Sequence, residues 1–223
     1  FNQNEDGLWR AHCYQYMAGK STFIIETTED TWRRAGLENA TEEDTVAYCS
    51  EVFANELGDD TLITNNSIWR TFPRVKNKKY FHKNIVLLGD ALHTAHFSIG
   101  SGTKLAMEDA VALFEAITEN SEDVLKALPA FQKKRQPSVD AIQRAAQVSM
   151  EWFEDVERYH DVLEPMQFSY ALLTRSLRIN HANFGLRDNE LLDEVDNWVA
   201  DRAAEQSGVA RVKKAPPPIF TPY

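Results

Sequence analysis

Cysteine is nearly absent. Cys13 and Cys49 are the only two in 223 residues, too few and too far apart for a zinc ribbon or a disulfide framework, so a reducing, cytoplasmic compartment is the expectation. Positive charge is scarce as well. With 34 acids against 24 Lys and Arg the formal charge is −10, which opposes broad contact with a phosphate backbone and excludes nucleic acid as a partner. The basic runs at Lys76 to Lys79, Lys133 to Arg135 and Arg211 to Lys214 read as solvated surface. No apolar run approaches the roughly 18 residues that span a bilayer, which excludes a membrane helix on sequence grounds. None of the nine glycines forms a G-x-G-x-x-G fingerprint, so the usual pyrophosphate turn of a dinucleotide fold is missing. The hydrophobic share of 43% and charged share of 26% are those of an ordinary globular chain.

What is present alternates between strand and helix signals. Residues 8–16 and 20–26 are rich in aromatic and β-branched side chains and predict a hairpin around the loop Met17 to Lys20. Thr27-Thr28-Glu29-Asp30 offers a capping box for a short helix carrying Trp32 and ended by Gly36. Thr41 and Asp44 repeat that signal before a helix with one face of Val46, Cys49, Phe53 and Leu57, stopped by Gly58. Residues 67–75 predict an edge strand, since Pro73 cannot donate to a ladder. The apolar run Ile85 to Leu88 predicts a strand buried on both faces. From Thr103 a helix follows whose residues Leu105, Met107, Val111, Leu113, Phe114 and Ile117 predict burial nearly all round. A short helix with Val124, Leu125 and Leu128 is expected to break at Pro129. A long one is expected to start at Pro137 and bury Val139, Ile142, Ala146, Phe153 and Val156. Two more helices are predicted, over Met166 to Leu177 and around Leu191, Leu192, Val195, Trp198 and Val199. A proline-rich linker follows Gly208.

The densest chemistry lies in IVLLGDALHTAHFSIGSGTKLAMEDA, residues 85–110. A buried strand that ends in Gly89-Asp90 presents a carboxylate at its carboxyl end, where open α/β sheets bind ligands. Asp90 there can accept hydrogen bonds from sugar or ribityl hydroxyls. Gly100 and Gly102, just ahead of a helix N-terminus, let backbone N–H groups approach a ligand closely and stabilise negative charge. Residue chemistry alone thus points to a polyhydroxylated cofactor with an electron-rich end. His93 and His96 could be read as a metal pair, but no second pair of ligands is evident.

The run Gly89-Asp90-Ala91-Leu92-His93, with Gly100-Ser101-Gly102 and the helix carrying Ala106 and Asp109-Ala110, resembles the second flavin motif of the class A FAD-dependent aromatic monooxygenases, the para-hydroxybenzoate hydroxylase family. Phe97 stands at the family's Pro and Lys104 at its Asn. The variant AHFSIGSGTKLAMEDA, with TFIIETTEDTWRRAGL and the Trp of SIWRTFPRV, is similar to one branch, the salicylyl-CoA and 2-aminobenzoyl-CoA monooxygenases. The tryptophan hydroxylase of violacein biosynthesis carries a comparable HFSIG loop. The resemblance covers roughly residues 5–205.

That resemblance implies an α+β chain holding part of the family fold. Residues 1–83 would belong to the substrate-binding sheet and helices, 84–120 to the C-terminal part of the FAD-binding domain, 121–206 to a helical region and 207–223 to a linker. It implies FAD as cofactor, bound through Gly89, Asp90, Gly100, Ser101 and Gly102, and NAD(P)H as reductant. His96 and Phe97 would line the pocket for an aromatic substrate, and Arg70 and Arg74 are candidates to face its carboxyl or thioester group. Hydroxylation would proceed through a flavin C4a-hydroperoxide with no protein nucleophile. The substrate would be an aryl-CoA thioester or, alternatively, a tryptophan- or indole-type ring. A non-catalytic scaffold that keeps only the flavoprotein shape is the remaining reading. The resemblance further implies an N-terminal FAD-binding half upstream of Phe1. The tail APPPIFTPY resembles the start of an old yellow enzyme domain.

Overall fold

Alternating side chains build the first layer. Strands β1 (Asn2–Asn4), β2 (Gly7–Met17) and β3 (Lys20–Glu26) form an antiparallel sheet in the order β1-β2-β3, which is the predicted hairpin with one added edge strand. The register pairs Arg10 with Glu26, Ala11 with Ile25 and His12 with Ile24. Because side chains alternate along a strand, Ala11, Phe23 and Ile25 share one face, while Arg10, His12 and Glu26 share the other. The computed structural model describes residues 1–121 and 123–208. The linker expected over 207–223 therefore lies, from residue 209 on, outside the described residues.

Helices α1 (Glu29–Arg34), α2 (Glu42–Val52) and α3 (Ala54–Leu57) cover the apolar face. Their core is Trp9, Leu37 and Phe53, with Phe23, Ile25, Trp32, Tyr48 and Trp69 packed against it. Thr28 caps α1 through a bond from Thr31 N at 3.3 Å; Thr27 instead donates its hydroxyl to Leu8 O. At α2 the reciprocal box between Thr41 and Asp44 forms as expected.

The predicted strand at 67–75 does not form. Only Lys76 pairs, in a single antiparallel bridge with His93. Side chains share the segment's backbone groups: Thr94 Oγ1 accepts from Val75 N, and Val75 O accepts from Gln143 Nε2 as well as from the Thr94 backbone N–H. With Pro73 unable to donate, the ladder has no continuation. The Ile85 to Leu88 run is likewise strand only at β5 (Ile85–Val86), hydrogen-bonded to β4 (Phe81–His82). Ile85 is 64% exposed, so this strand is not buried on both faces. Its one neighbour among the described residues leaves the other edge uncovered.

Two helices form the second layer, α4 (Gly102–Glu119) and α5 (Val124–Glu154). They enclose Leu92, Ala112, Ala116, Ala127, Phe131 and Tyr80. The expected all-round burial of α4 is not observed. Leu105, Asp109, Ala112 and Ala116 face inward, whereas Met107, Val111 and Phe114 are exposed. Nor does Pro129 break the chain, since α5 runs unbroken for 31 residues through Pro129 and Pro137. Each interior proline costs about 3 kcal/mol. The buried stripe Leu128, Phe131, Val139 and Phe153 stays in helical phase across both, and four such side chains at about 1.5–3 kcal/mol each offset that cost. Helices α6 (Glu157–His160), α7 (Pro165–Thr174), α8 (His181–Phe184) and α9 (Asn189–Ser207) complete the described chain.

Candidate functional site

After β5 the backbone reverses at Gly89, whose φ is +56°. A Cβ there would stand 3.4 Å from Ala106 Cβ of α4, so both the left-handed turn and the close helix call for glycine. The next residue, Asp90, is exposed, and its carboxylate makes no hydrogen bond or ion pair with the described residues. It stands free to accept from a ligand.

A buried carboxylate fixes this turn from behind. Asp109 on α4 is wholly buried. Its Oδ2 accepts from Gly89 N at 3.2 Å and from His93 Nε2 at 2.8 Å, and its Oδ1 accepts from Arg135 Nε of α5 at 2.9 Å. Three elements are thereby locked to one side chain by three hydrogen bonds, two of them from side chains. Neither Asp109 nor Arg135 was singled out for this role from sequence. The available signal was an acid on the apolar stripe of a helix, four residues after Leu105 and three before Ala112, where only a paired charge is tolerated.

The second part of the site is the loop from His96 to Gly102. Gly100 is left-handed at φ +60°, and neither at Gly100 nor at Gly102 would a Cβ meet any atom within 4 Å. Ser101 precedes α4 but makes no side-chain cap; its hydroxyl goes back to Ile99 O at 3.2 Å. The leading N–H groups of an 18-residue helix thus lie beside open space and without a capping side chain, an arrangement that favours an electron-rich group. The Gly89-Asp90 turn and this loop both rest on the N-terminal half of α4, so the structure brings the five predicted cofactor residues onto one element. The open cradle and the free Asp90 carboxylate fit the ribityl chain and pyrimidine edge of a flavin.

Beneath the loop lies an aromatic and charged cluster. His96 and Phe97 stack at 4.6 Å, and Phe72 sits edge-on to His96 and tilted against Phe97 at 6.2 and 5.1 Å. His12 meets Phe97 and Phe153 edge-on at 5.6 and 5.4 Å. On the polar face of the hairpin, Arg10 Nε donates to Glu26 Oε2 at 2.5 Å. His12 Nε2 stands 3.3 Å from Glu26 Oε1 without hydrogen-bond alignment. Burial would raise the Glu26 carboxyl, but the contact with His12 and the Arg10 charge outweigh it and hold the carboxyl below its usual range. Burial also pushes the His96 imidazole below its ordinary value.

Other candidates fall elsewhere. Arg70 is exposed, and Arg74, also exposed, donates to Gln147. His93 is spent on Asp109, and no group of three or more His, Cys, Asp or Glu able to hold a metal occurs among the described residues. A groove of about 640 Å³ between α4 and α5 is lined by Met107, Val111, Lys104 and Lys134; it shares no residue with the 96–102 loop. No helix among the described residues is long and apolar enough to cross a membrane.

Known proteins are similar to this chain. Salicyloyl-CoA 5-hydroxylase of a Streptomyces species is 41% identical over 201 residues, covering 86% of this chain and 38% of that protein. Protodeoxyviolaceinate monooxygenase of Chromobacterium violaceum is 37% identical over 70% of this chain and 42% of its own length. A 3-hydroxy-4-methyl-anthranilyl-[aryl-carrier protein] 5-monooxygenase of Streptosporangium sibiricum is 37% identical over 68% of this chain and 39% of its own. The chain spans about two fifths of the length of these curated relatives. The crystal structure of pqsL, a probable FAD-dependent monooxygenase from Pseudomonas aeruginosa, shares the fold at a TM-score of 0.51 and 23% identity, over 69% of this chain and 44% of that one. The FAD binding domain model matches residues 3–146, from the hairpin through the Gly89-Asp90 turn and the 96–102 loop and into α5, and the chain belongs to that family.

Proposed function

We propose that this chain is part of an FAD-dependent monooxygenase that hydroxylates an aromatic ring carried as an acyl thioester. One observation carries the reading. The unpaired carboxylate of Asp90 follows a turn packed on α4, and the open glycine loop that leads into the same helix also carries His96 and Phe97, stacked on each other with Phe72 against them. Two relatives whose names contain an aryl thioester, salicyloyl-CoA and anthranilyl-carrier protein, support that substrate class.

The chemistry supplied by bound FAD, reduced by NAD(P)H, is the activation of dioxygen; the protein's share is binding, orientation and exclusion of water. In this reading Asp90 accepts from ribityl hydroxyls, and Gly89 sets the turn that aims it. The backbone N–H groups around Gly100, Ser101 and Gly102 face the electron-rich end of the ring system. Favourable interaction with the helix dipole there is worth on the order of 1 kcal/mol. Phe97 and His96 wall the substrate side, with Phe72 packed against both rings. A tryptophan- or indole-type ring is the second reading, favoured by the violacein-pathway relative.

The test uses the protein expressed from its intact gene. An oxidised-flavin spectrum that bleaches faster with NAD(P)H when an aryl-CoA is added supports the proposal, whereas acceleration by a free indole alone supports the second reading. Asp90→Ala is expected to weaken FAD binding about tenfold or more, the effect of losing hydrogen bonds to a charged acceptor. A colourless protein that takes up no added FAD would overturn the function.

A further inference from the structure

The direction of one hydrogen-bond chain can be read from its donors. Arg175, at the end of α7, can only donate. Its Nε donates to Ser149 Oγ at 3.0 Å, its Nη2 to Ser98 O at 2.8 Å and its Nη1 to Leu172 O at 2.6 Å. Ser149 is wholly buried on α5. Having accepted from Arg175, it turns its own hydrogen to Ser98 Oγ, 2.9 Å away. Ser98 Oγ in turn donates to His96 Nδ1 at 2.9 Å, and the Ser98 backbone N–H points at the same nitrogen from 3.3 Å.

Two donors therefore converge on Nδ1, so that nitrogen carries no proton and the ring hydrogen sits on Nε2. The opposite polarity would set an N–H against an N–H and leave the Ser149 hydroxyl hydrogen without an acceptor. Nε2 has no protein partner among the described residues and is not among the sealed, unpartnered polar atoms. It is the open end of the chain.

Charge around the ring is already committed. Glu26 on β3 favours a proton on His96, while Arg10 and His12 on β2 oppose one, and burial, the largest influence, keeps the ring neutral. Arg10 is paired with Glu26. Arg175 is committed to one hydroxyl and two carbonyls and lies over the Phe153 ring at 4.7 Å. Phe72 and Phe97, the remaining ring neighbours, are uncharged. An incoming carboxylate would find no free cation here, whereas a carbonyl oxygen would find a neutral N–H.

Resting on the flavoprotein reading above, we propose that His96 is a fixed Nε2–H donor that selects aromatic substrates bearing an uncharged acyl carbonyl, as in a thioester, over the corresponding free acids. Ser98, Ser149 and Arg175 are positioning residues that set its tautomer.

The tautomer is observable directly by nitrogen NMR of histidine-labelled protein, with and without FAD, the His96 signals being assigned by their loss in His96→Gln. The expected result at about pH 8, where a histidine ring is neutral, is a proton on Nε2 alone. Ser98→Ala should give a mixture of tautomers, and Ser98→Thr, which keeps the hydroxyl, should restore the single form. Affinities for benzoyl-CoA, for S-benzyl-CoA, which lacks the carbonyl, and for benzoate are then compared on the FAD-loaded protein. His96→Ala should weaken benzoyl-CoA about three- to tenfold and leave S-benzyl-CoA unchanged. His96→Gln, with an N–H at its end, should retain most of the affinity. A proton on Nδ1, an equal loss for both CoA ligands, or benzoate bound as tightly as benzoyl-CoA would overturn the proposal. A wrong tautomer in a protein that binds FAD overturns this inference alone, whereas a correct tautomer in a protein that takes up no FAD removes the proposed function and this inference with it.

Discussion

Two polar networks flank the glycine loop, and they differ in how they end. The first, around Asp109, is closed: His93, Arg135 and the Gly89 N–H all terminate on one buried carboxylate. The second, from Arg175 through Ser149 and Ser98, stops at His96 with one ring nitrogen facing outward. A closed network spends its directionality on the fold. An open one delivers a defined donor to whatever enters. The contrast separates residues that hold the site from residues that meet a ligand, although both kinds are buried and polar.

Breaking the closed network should have the largest effect. Asp109→Ala leaves buried His93 without its acceptor and Arg135 with only Glu108 at 3.2 Å and the Leu105 carbonyl at 3.4 Å, and a loss of about 3–5 kcal/mol in denaturant unfolding is expected. Ser149→Ala in the open network removes an acceptor of the Arg175 guanidinium and should cost less, about 1.5–3 kcal/mol. Its clearer signature is reduced aryl thioester affinity, which Asp109→Ala is not expected to single out.

Acid should sharpen the contrast further. His96 and Glu26 both have folded pKa values below their ordinary values, so the unfolded chain binds more protons and stability falls with pH. The His96 contribution is complete above its ordinary value of 6.5 and is lost as pH falls through its lowered folded value. The Glu26 contribution is complete above 4.5 and is lost below that, as pH falls through its own lowered value. Melting curves of His96→Gln should lack the upper limb and keep the lower one. The smallest expected effect on the fold is Asp90→Ala, within about 0.5 kcal/mol because its carboxylate is exposed and unpaired. A large loss there would mean that Asp90 belongs with the structural residues.

The local signals in the sequence were read most accurately where one residue type answers to one geometric demand. The hairpin, the Thr41 box and the helix-ending, left-handed Gly36 follow from period-2 alternation, side-chain capping and the tolerance of glycine for positive φ. Burial was legible only in part. Met107, Val111 and Phe114 look like core in the sequence, and hydrophobicity states a preference without naming the surface that satisfies it. Pro129 misled for the opposite reason, since a local penalty was overridden by a stripe of tertiary contacts. The turn at Gly89-Asp90 and the glycine loop ahead of α4 are visible in sequence order, whereas the partners of Asp109, Arg135, Ser149 and Arg175 are not. Those partners lie 16 to 77 residues away in the chain, and nothing in sequence order announces such a meeting.

The unbroken α5 has a mechanical consequence. At 31 residues it is a rod about 46 Å long. Phe131 sits in the α4 core near one end, Gln143 and Ser149 grip the two loops along its length, and Phe153 meets the hairpin at the other. Motion at any of these stations transmits as axial displacement or roll of the whole rod, because a helix resists stretching far more than a loop does. The prolines are its compliant joints: at Pro129 and Pro137 the backbone lacks a donor, so bending there strains one fewer bond. A tug on the hairpin would be felt at the 96–102 loop before it reached the α4 core.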